Sequence, residues 1–324
     1  VAGDPEPAPG PQLEVVTIGR ISVDLYPVEA GPMRDVRTLA KSVGGTATNV
    51  AVAAARLGRR AAVVTRVGDD AFGDDVRHAL AERFGVDTRF VGIDPSLPTS
   101  LAFAELDPPE DPRIIFYRYP AAPDMQLTPG DLAPVPIEDV AILWVPASCF
   151  SAEPSRATVR GALARRARRR HTIVDLDWRP VFWTSEADAT AQLREVLPLA
   201  TVAIGNREEC RVAVGSADPE VAAERLLGTG LEAAVVKLGG DGVLVAGSDG
   251  TRELVAPYPV EVVCGLGAGD AFGGALCHGL LGGASLAEAV RVANAAGAIV
   301  ASRLLCAEAM PTAAELDAFL AVRA

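Results

Sequence analysis

Gly265-Leu266-Gly267-Ala268-Gly269-Asp270 is the stretch on which the reading turns. It follows a strand-like run over 254–263 and precedes a helical run over 271–281. Closely spaced glycines let backbone approach a ligand, and a helix N-terminus points N–H groups and a positive dipole end at an anion. A carboxylate in a pure phosphate cradle would repel the phosphate. Asp270 makes sense there if it takes a proton from a hydroxyl that attacks that phosphate, while the N–H groups of Gly267, Ala268 and Gly269 meet charge on the transferred group. A dinucleotide fingerprint would need glycine where Asp270 stands and should open the first βαβ unit. The lysine-bearing phosphate loop G-x-x-x-x-G-K-[ST] has no match.

Outward from this motif, strands and helices alternate. Strands are expected over 13–19, 61–67, 140–145, 171–176, 201–205 and 233–237, with helices over 49–57, 72–84, 155–170, 187–197, 219–227 and 286–302. That rhythm implies βαβ units, an α/β fold and a mostly parallel sheet. Two segments break it. Residues 21–43 read as irregular, with Pro27, Gly31 and Pro32, and residues 99–119 read as two β segments joined by a Pro/acid turn. Together they suggest a small β flap that could serve as a lid. Residues 1–12, with four prolines, read as a disordered tail, and 13–324 as one domain.

Composition narrows the class. The chain has 324 residues, 49% of them hydrophobic, with 30 basic and 42 acidic side chains, giving a net charge of −12. That balance argues against nucleic-acid or anionic-membrane partners. The run Arg165, Arg166, Arg168, Arg169 and Arg170 is accordingly read as a solvated helix end. The five cysteines form no C-x-x-C pair, so neither a disulfide framework nor a structural zinc is expected. With no leader pattern and no long apolar run, a cytoplasmic protein is the expectation.

A second motif, Gly44-Gly45-Thr46-Ala47-Thr48-Asn49, puts paired glycines before a helix, with Gly58 and Gly68 beyond it. Between the two motifs lie Asn206-Arg207-Glu208-Glu209 and Lys237-Leu238-Gly239-Gly240-Asp241-Gly242. In this order, over 13–311, the set resembles the PfkB (ribokinase-like) family of carbohydrate kinases. The runs Gly19 to Pro27, Asp175-Leu176-Asp177-Trp178-Arg179-Pro180, Phe116-Tyr117-Arg118 and Glu308-Ala309-Met310-Pro311 are similar to its 5-dehydro-2-deoxygluconokinase branch, of inositol catabolism. The 2-dehydro-3-deoxygluconate kinases share part of this pattern.

The resemblance implies a ribokinase-like three-layer sandwich with a β-flap lid and ATP-dependent phosphorylation of a sugar-acid hydroxyl. By the same resemblance Asp270 is the base, and Asp24, Gly44, Gly45 and Asn49 contact the sugar. Arg118 and Arg20 are candidates for the substrate carboxylate, since a guanidinium suits it bidentately. Arg179 serves either that carboxylate or the ATP phosphates, and is read with the phosphates. Lys237, Gly240, Gly242 and Asn294 belong to the nucleotide side. Asn206 and Glu209 organise Mg2+ through water. Many family members carry Asp-Thr where this chain has Cys264-Gly265, and that Asp helps hold a monovalent cation, so a K+ requirement stays open. A homodimer through the lid's exposed strands is also expected. Another sugar specificity, or a non-catalytic sugar or nucleotide sensor, are the alternatives.

Overall fold

The computed structural model describes residues 12–29, 31–108, 112–169 and 171–323. The expected tail falls on residues 1–11, outside them, apart from exposed Gln12.

Thirteen strands are formed among the described residues: β1 Val15–Ile18, β2 Ser22–Pro27, β3 Leu39–Gly44, β4 Ala61–Gly68, β5 Val91–Asp94, β6 Leu101–Glu105, β7 Arg113–Tyr117, β8 Ile142–Pro146, β9 Thr172–Asp175, β10 Val202–Asn206, β11 Ala233–Lys237, β12 Val243–Gly247 and β13 Arg252–Val255. The α-helices are α1 Thr46–Arg56, α2 Ala71–His78, α3 Pro129–Leu132, α4 Ser155–Arg166, α5 Glu186–Val196, α6 Arg207–Val214, α7 Pro219–Leu227, α8 Ala268–Leu281, α9 Leu286–Ala301 and α10 Ala313–Ala321.

Nine strands make the main sheet, in the order β13-β12-β11-β10-β9-β8-β1-β4-β5. From β5 to β11 every pairing is parallel, and β12 and β13 close the edge antiparallel. Side chains alternate between the faces of a strand. Val15, Val63, Trp144 and Ile173 therefore join one core with α1, α8 and α9, while Val16, Val64, Val145 and Val174 join a second core with α4 to α7. This is the three-layer sandwich with a mostly parallel sheet that the alternating pattern implies.

Beside it stands a four-stranded sheet of order β3-β2-β6-β7. Segment 21–43 is thus not irregular. β2 and β3 pair antiparallel from Ser22–Gly44 to Pro27–Leu39, and Pro32 falls in the connection. The strand expected over 254–263 stops at Val255, because Pro257 and Pro259 remove ladder donors. The basic run needs a sharper correction. Arg166 is fully buried and donates to the carbonyls of Ile137, Val140 and Ala141, tying α4 to the segment before β8. Arg170 lies outside the described residues.

The contact that positions the site is the crossing of α1 and α8. A Cβ added at Gly274 would lie 2.3 Å from the Ala53 Cβ and 2.7 Å from the Ala54 N, so the helices touch backbone to backbone. Gly274→Ala should cost about 1–3 kcal/mol through overpacking. Gly161→Ala on α4, where a Cβ meets nothing within 4 Å, should instead stabilise by about 0.5–1 kcal/mol. Urea denaturation of both variants checks the opposite signs; equal effects would refute this packing.

Candidate active site

Helices α1 and α8 bring their N-terminal ends together under the lid. Gly267 caps α8 at φ 82°, and a Cβ there would sit 2.6 Å from the Cys306 Sγ. That left-handed cap is natural only for glycine. Asp270 follows in the first turn, and Asn49 Nδ2 donates to its Oδ2 at 2.8 Å. Burial pushes the Asp270 carboxyl up to about 6; the Asn49 bond and the Arg20 and Arg179 charges pull the other way, and Asp177 adds to the rise.

Asp270 opens onto a small, partly open cavity of about 50 Å³. Its polar wall is Arg20, Ser22, Asp24, Thr46, Asn49 and Arg179. Its apolar wall comes from the lid, with Ala102, Ala104, Ile114 and Phe116, and from Leu266 and Cys306. Asp24 reaches in from β2, and its carboxylate occupies the space a Gly44 side chain would need, 2.0 Å from that Cβ position. Gly44 is therefore behind Asp24, whereas Gly45 lines the cavity. Burial pushes Asp24 up to about 6, against the Ser22 hydrogen bond and the Arg20 charge.

Across the α8 N-terminus lies a second, larger cavity of about 480 Å³. Lys237, Gly240, Gly242 and Asn294 all line it, together with Gly265, Ala268 and Gly269. Asn294 Nδ2 donates to the Ala256 carbonyl at 3.0 Å. Burial alone would lower the Lys237 pKa, but Glu209, Asp175, Asp270 and Asp177 outweigh it, so the ammonium is held charged. One helix end thus serves two chambers, with a carboxylate facing one and N–H groups and a lysine at the other.

The arginines separate. Arg20 is buried, and its guanidinium reaches Ser148 at 3.0 Å, Asp177 at 2.8 Å and Thr46. Its Nη1 makes none of these bonds. Arg179 stands on the Asp270 side, not in the Lys237 cavity, with Nε 3.4 Å from Asp177 Oδ1. Arg118 does not reach the Asp270 cavity. It lines a neighbouring one, and its charge is taken by the buried carboxylate of Asp124. Phe182 lies between Arg20 and Arg118, 5.1 Å from each guanidinium carbon. Asn206 and Glu209 form a capping box on α6, each side chain bonding the other's backbone N–H, with Glu209 Oε2 3.9 Å from Lys237 Nζ.

Asp175 and Asp177 emerge from β9 into this cluster without a role read from the sequence. Burial pushes Asp175 up to about 7 despite Lys237. For Asp177 burial acts in the same sense, but Arg20 and then Arg179 reverse it and hold the carboxyl low. The Asp-x-Asp-x-Arg spacing after a strand was the available signal. Asp124, Ser148 and Cys306 come from distant segments and gave none.

Two chambers sharing a helix N-terminus, one lined for hydroxyls and one by a glycine loop, are the layout of a phosphoryl-transfer site. The sequence matches the pfkB family carbohydrate kinase pattern over residues 12–313. The chain belongs to the pfkB family. This pfkB chain is 36% identical over 320 residues to a 5-dehydro-2-deoxygluconokinase of Photobacterium profundum, covering 96% of each. Its fold matches the fructokinase of Vibrio cholerae O395 in the fructose-, ADP- and calcium-bound form, with TM-score 0.85 and 29% identity over 95% of this chain and 99% of that one. A putative ribokinase II of E. coli in complex with ATP and Mg2+ matches with TM-score 0.84 and 26% identity, over 96% of this chain and 100% of that one. The chain is thus a carbohydrate kinase. Among the described residues no helix is long and apolar enough to cross a membrane.

In this pfkB site the Arg20–Asp177 pair is the buried charge on which the polar wall rests. Breaking such a pair costs about 3–5 kcal/mol because a charge is stranded. Arg20→Met should lower unfolding free energy by that amount, and Arg20→Met with Asp177→Asn should recover more than half of it. Urea titration of the cycle decides; additive losses would mean the pair is not coupled.

Proposed function

We propose that the protein phosphorylates the terminal hydroxyl of a six-carbon deoxy keto acid, 5-dehydro-2-deoxy-D-gluconate first among them, with ATP as donor. The observation that carries this reading is one helix end serving both cavities, with Asp270 lining one and Ala268 and Gly269 lining the other. The 5-dehydro-2-deoxygluconokinase named above supports the choice of acid.

The sugar acid occupies the Asp270 cavity, with Asp24 and Asn49 on its hydroxyls. Arg20, through Nη1, meets the carboxylate. Nucleotide lies along Lys237, Gly240, Gly242 and Asn294. Asp270 accepts the proton of the terminal hydroxyl, and that oxygen's electron pair forms the new bond to the γ-phosphorus. The bond from that phosphorus to the ADP oxygen breaks, its electrons leaving with ADP. Backbone N–H groups at Gly267, Ala268 and Gly269, with Arg179, meet the charge spread over the transferred group. A base must be within hydrogen-bond reach of its proton, and the carboxyl shift toward 6 keeps it mostly ionised at neutral pH while strengthening it.

For magnesium the fit is by chemistry of donors. Glu209 and Asp175 are carboxylates beside Lys237, and an ion that keeps its hydration is met by such groups through water. Asn206 and Glu209 would hold it in that way, with ATP phosphate oxygens. Bound there, it would neutralise phosphate charge. Lid strands β6 and β7 wall the Asp270 cavity, so their movement would admit the acid and their closure would exclude water. The edge strands β3 and β7 of that lid are where a homodimer would form.

An ATP-coupled assay with Mg2+ tests the reading on 5-dehydro-2-deoxygluconate, 2-dehydro-3-deoxygluconate, ribose and fructose. The two acids should give a kcat/KM at least about 10-fold above the neutral sugars, which leave Arg20 Nη1 without an acceptor, and the first acid should lead the second. Preference for the second acid would keep the base and overturn the substrate. Preference for a neutral sugar would remove Arg20 as its anchor.

A further inference from the structure

The amide of Asn49 does two things at once. It lies in the first turn of α1, its own N–H bonded to the Gly45 carbonyl at 2.8 Å, and is 2% exposed. Its Nδ2 is spent on Asp270 Oδ2. Its Oδ1 is buried with no hydrogen-bond partner, although Asn49 lines the Asp270 cavity. An ionised carboxylate only accepts, so the amide nitrogen must face Asp270 and the amide oxygen must face away. A buried amide oxygen left unpaired carries a desolvation penalty that a ligand donor would remove.

We propose that Asn49 is a positioning residue for the base: by fixing Asp270 Oδ2 it leaves Oδ1 as the oxygen open to the acceptor hydroxyl. The proposal rests on Asp270 being the base. The geometry supports it from both sides. The carboxylate hangs on α8 and the amide on α1, and the glycine at the Gly274 crossing lets the two helices approach backbone to backbone. No other side-chain hydrogen bond to Asp270 is formed among the described residues. The charged and titratable groups that also face it are Arg20, Arg179, Asp177, Asp175, Lys237 and the Cys306 thiol.

The sign of the effect follows. A donor to the carboxylate favours its charged form, so loss of Asn49 raises the Asp270 midpoint. The test is a 13C titration of the aspartate carboxyls in the full chain, with the Asp270 signal assigned by its absence in Asp270→Asn. Asn49→Ala should move the midpoint up from near 6 by at least about half a unit. Asn49→Asp, nearly the same volume, should raise it further by placing a like charge there. With Mg2+, ATP and 5-dehydro-2-deoxygluconate, kcat of Asn49→Ala should fall about 10- to 100-fold, and its acidic limb should shift upward with the same step. An Asp270 midpoint unmoved in both variants, with a rise in KM alone, would overturn the proposal and leave Asn49 as cavity lining. Turnover retained in Asp270→Asn would instead overturn the base itself, and the positioning role with it.

Discussion

The near-contact of α1 and α8 backbones is the constraint on which the site depends. Gly274 removes the side chain that would hold the helices apart, and Ala53 and Ala54 offer nothing in return. Gly273 repeats the device against Trp144 and Val50. A wider crossing would leave the buried Asp270 carboxylate without the Asn49 side-chain donor, and burial would then drive it further toward the neutral acid. The same crossing aims two helix N-termini at one place. Packing and electrostatics at Asp270 therefore share a single geometric cause.

Around that axis the charges are arranged by depth. Arg20 and Asp177 neutralise each other in the interior, and Ser148 bonds both. Arg179, at the rim, keeps a looser contact with the same carboxylate. Lys237 is surrounded by carboxylates on the side of the larger cavity. Cations thus flank the α8 N-terminus from both chambers, where a chain of net charge −12 most needs them to receive anions. The lid supplies an apolar roof, and its strand β2 supplies Asp24, so moving the lid also moves a polar group of the cavity.

Much of this could be read from residues in one line. The alternation of apolar runs with helical runs gives the parallel sheet, because each strand is buried on both faces. Gly267 to Asp270 and Lys237 to Gly242 are contiguous, so their chemistry is visible without a fold. The hairpin of β2 and β3 was hidden, since Pro27, Gly31 and Pro32 mask two short strands whose pairing is what orders them. Arg166 looks like its neighbours in the basic run, and only the carbonyls gathered from residues 137–141 distinguish it. Arg118 reads as a free cation until Asp124, six residues on, is seen to claim it. Each miss is a partner supplied by tertiary structure.

A crystal structure with ADP and 5-dehydro-2-deoxygluconate tests the two-chamber account most directly. The account predicts the terminal hydroxyl about 2.6–3.2 Å from the Asp270 carboxylate. It also predicts the ADP phosphates on the Lys237 side, over the N–H groups of Gly267 to Gly269. Nucleotide in the Asp270 chamber, or an acceptor hydroxyl beyond reach of Asp270 with the lid closed, would contradict it.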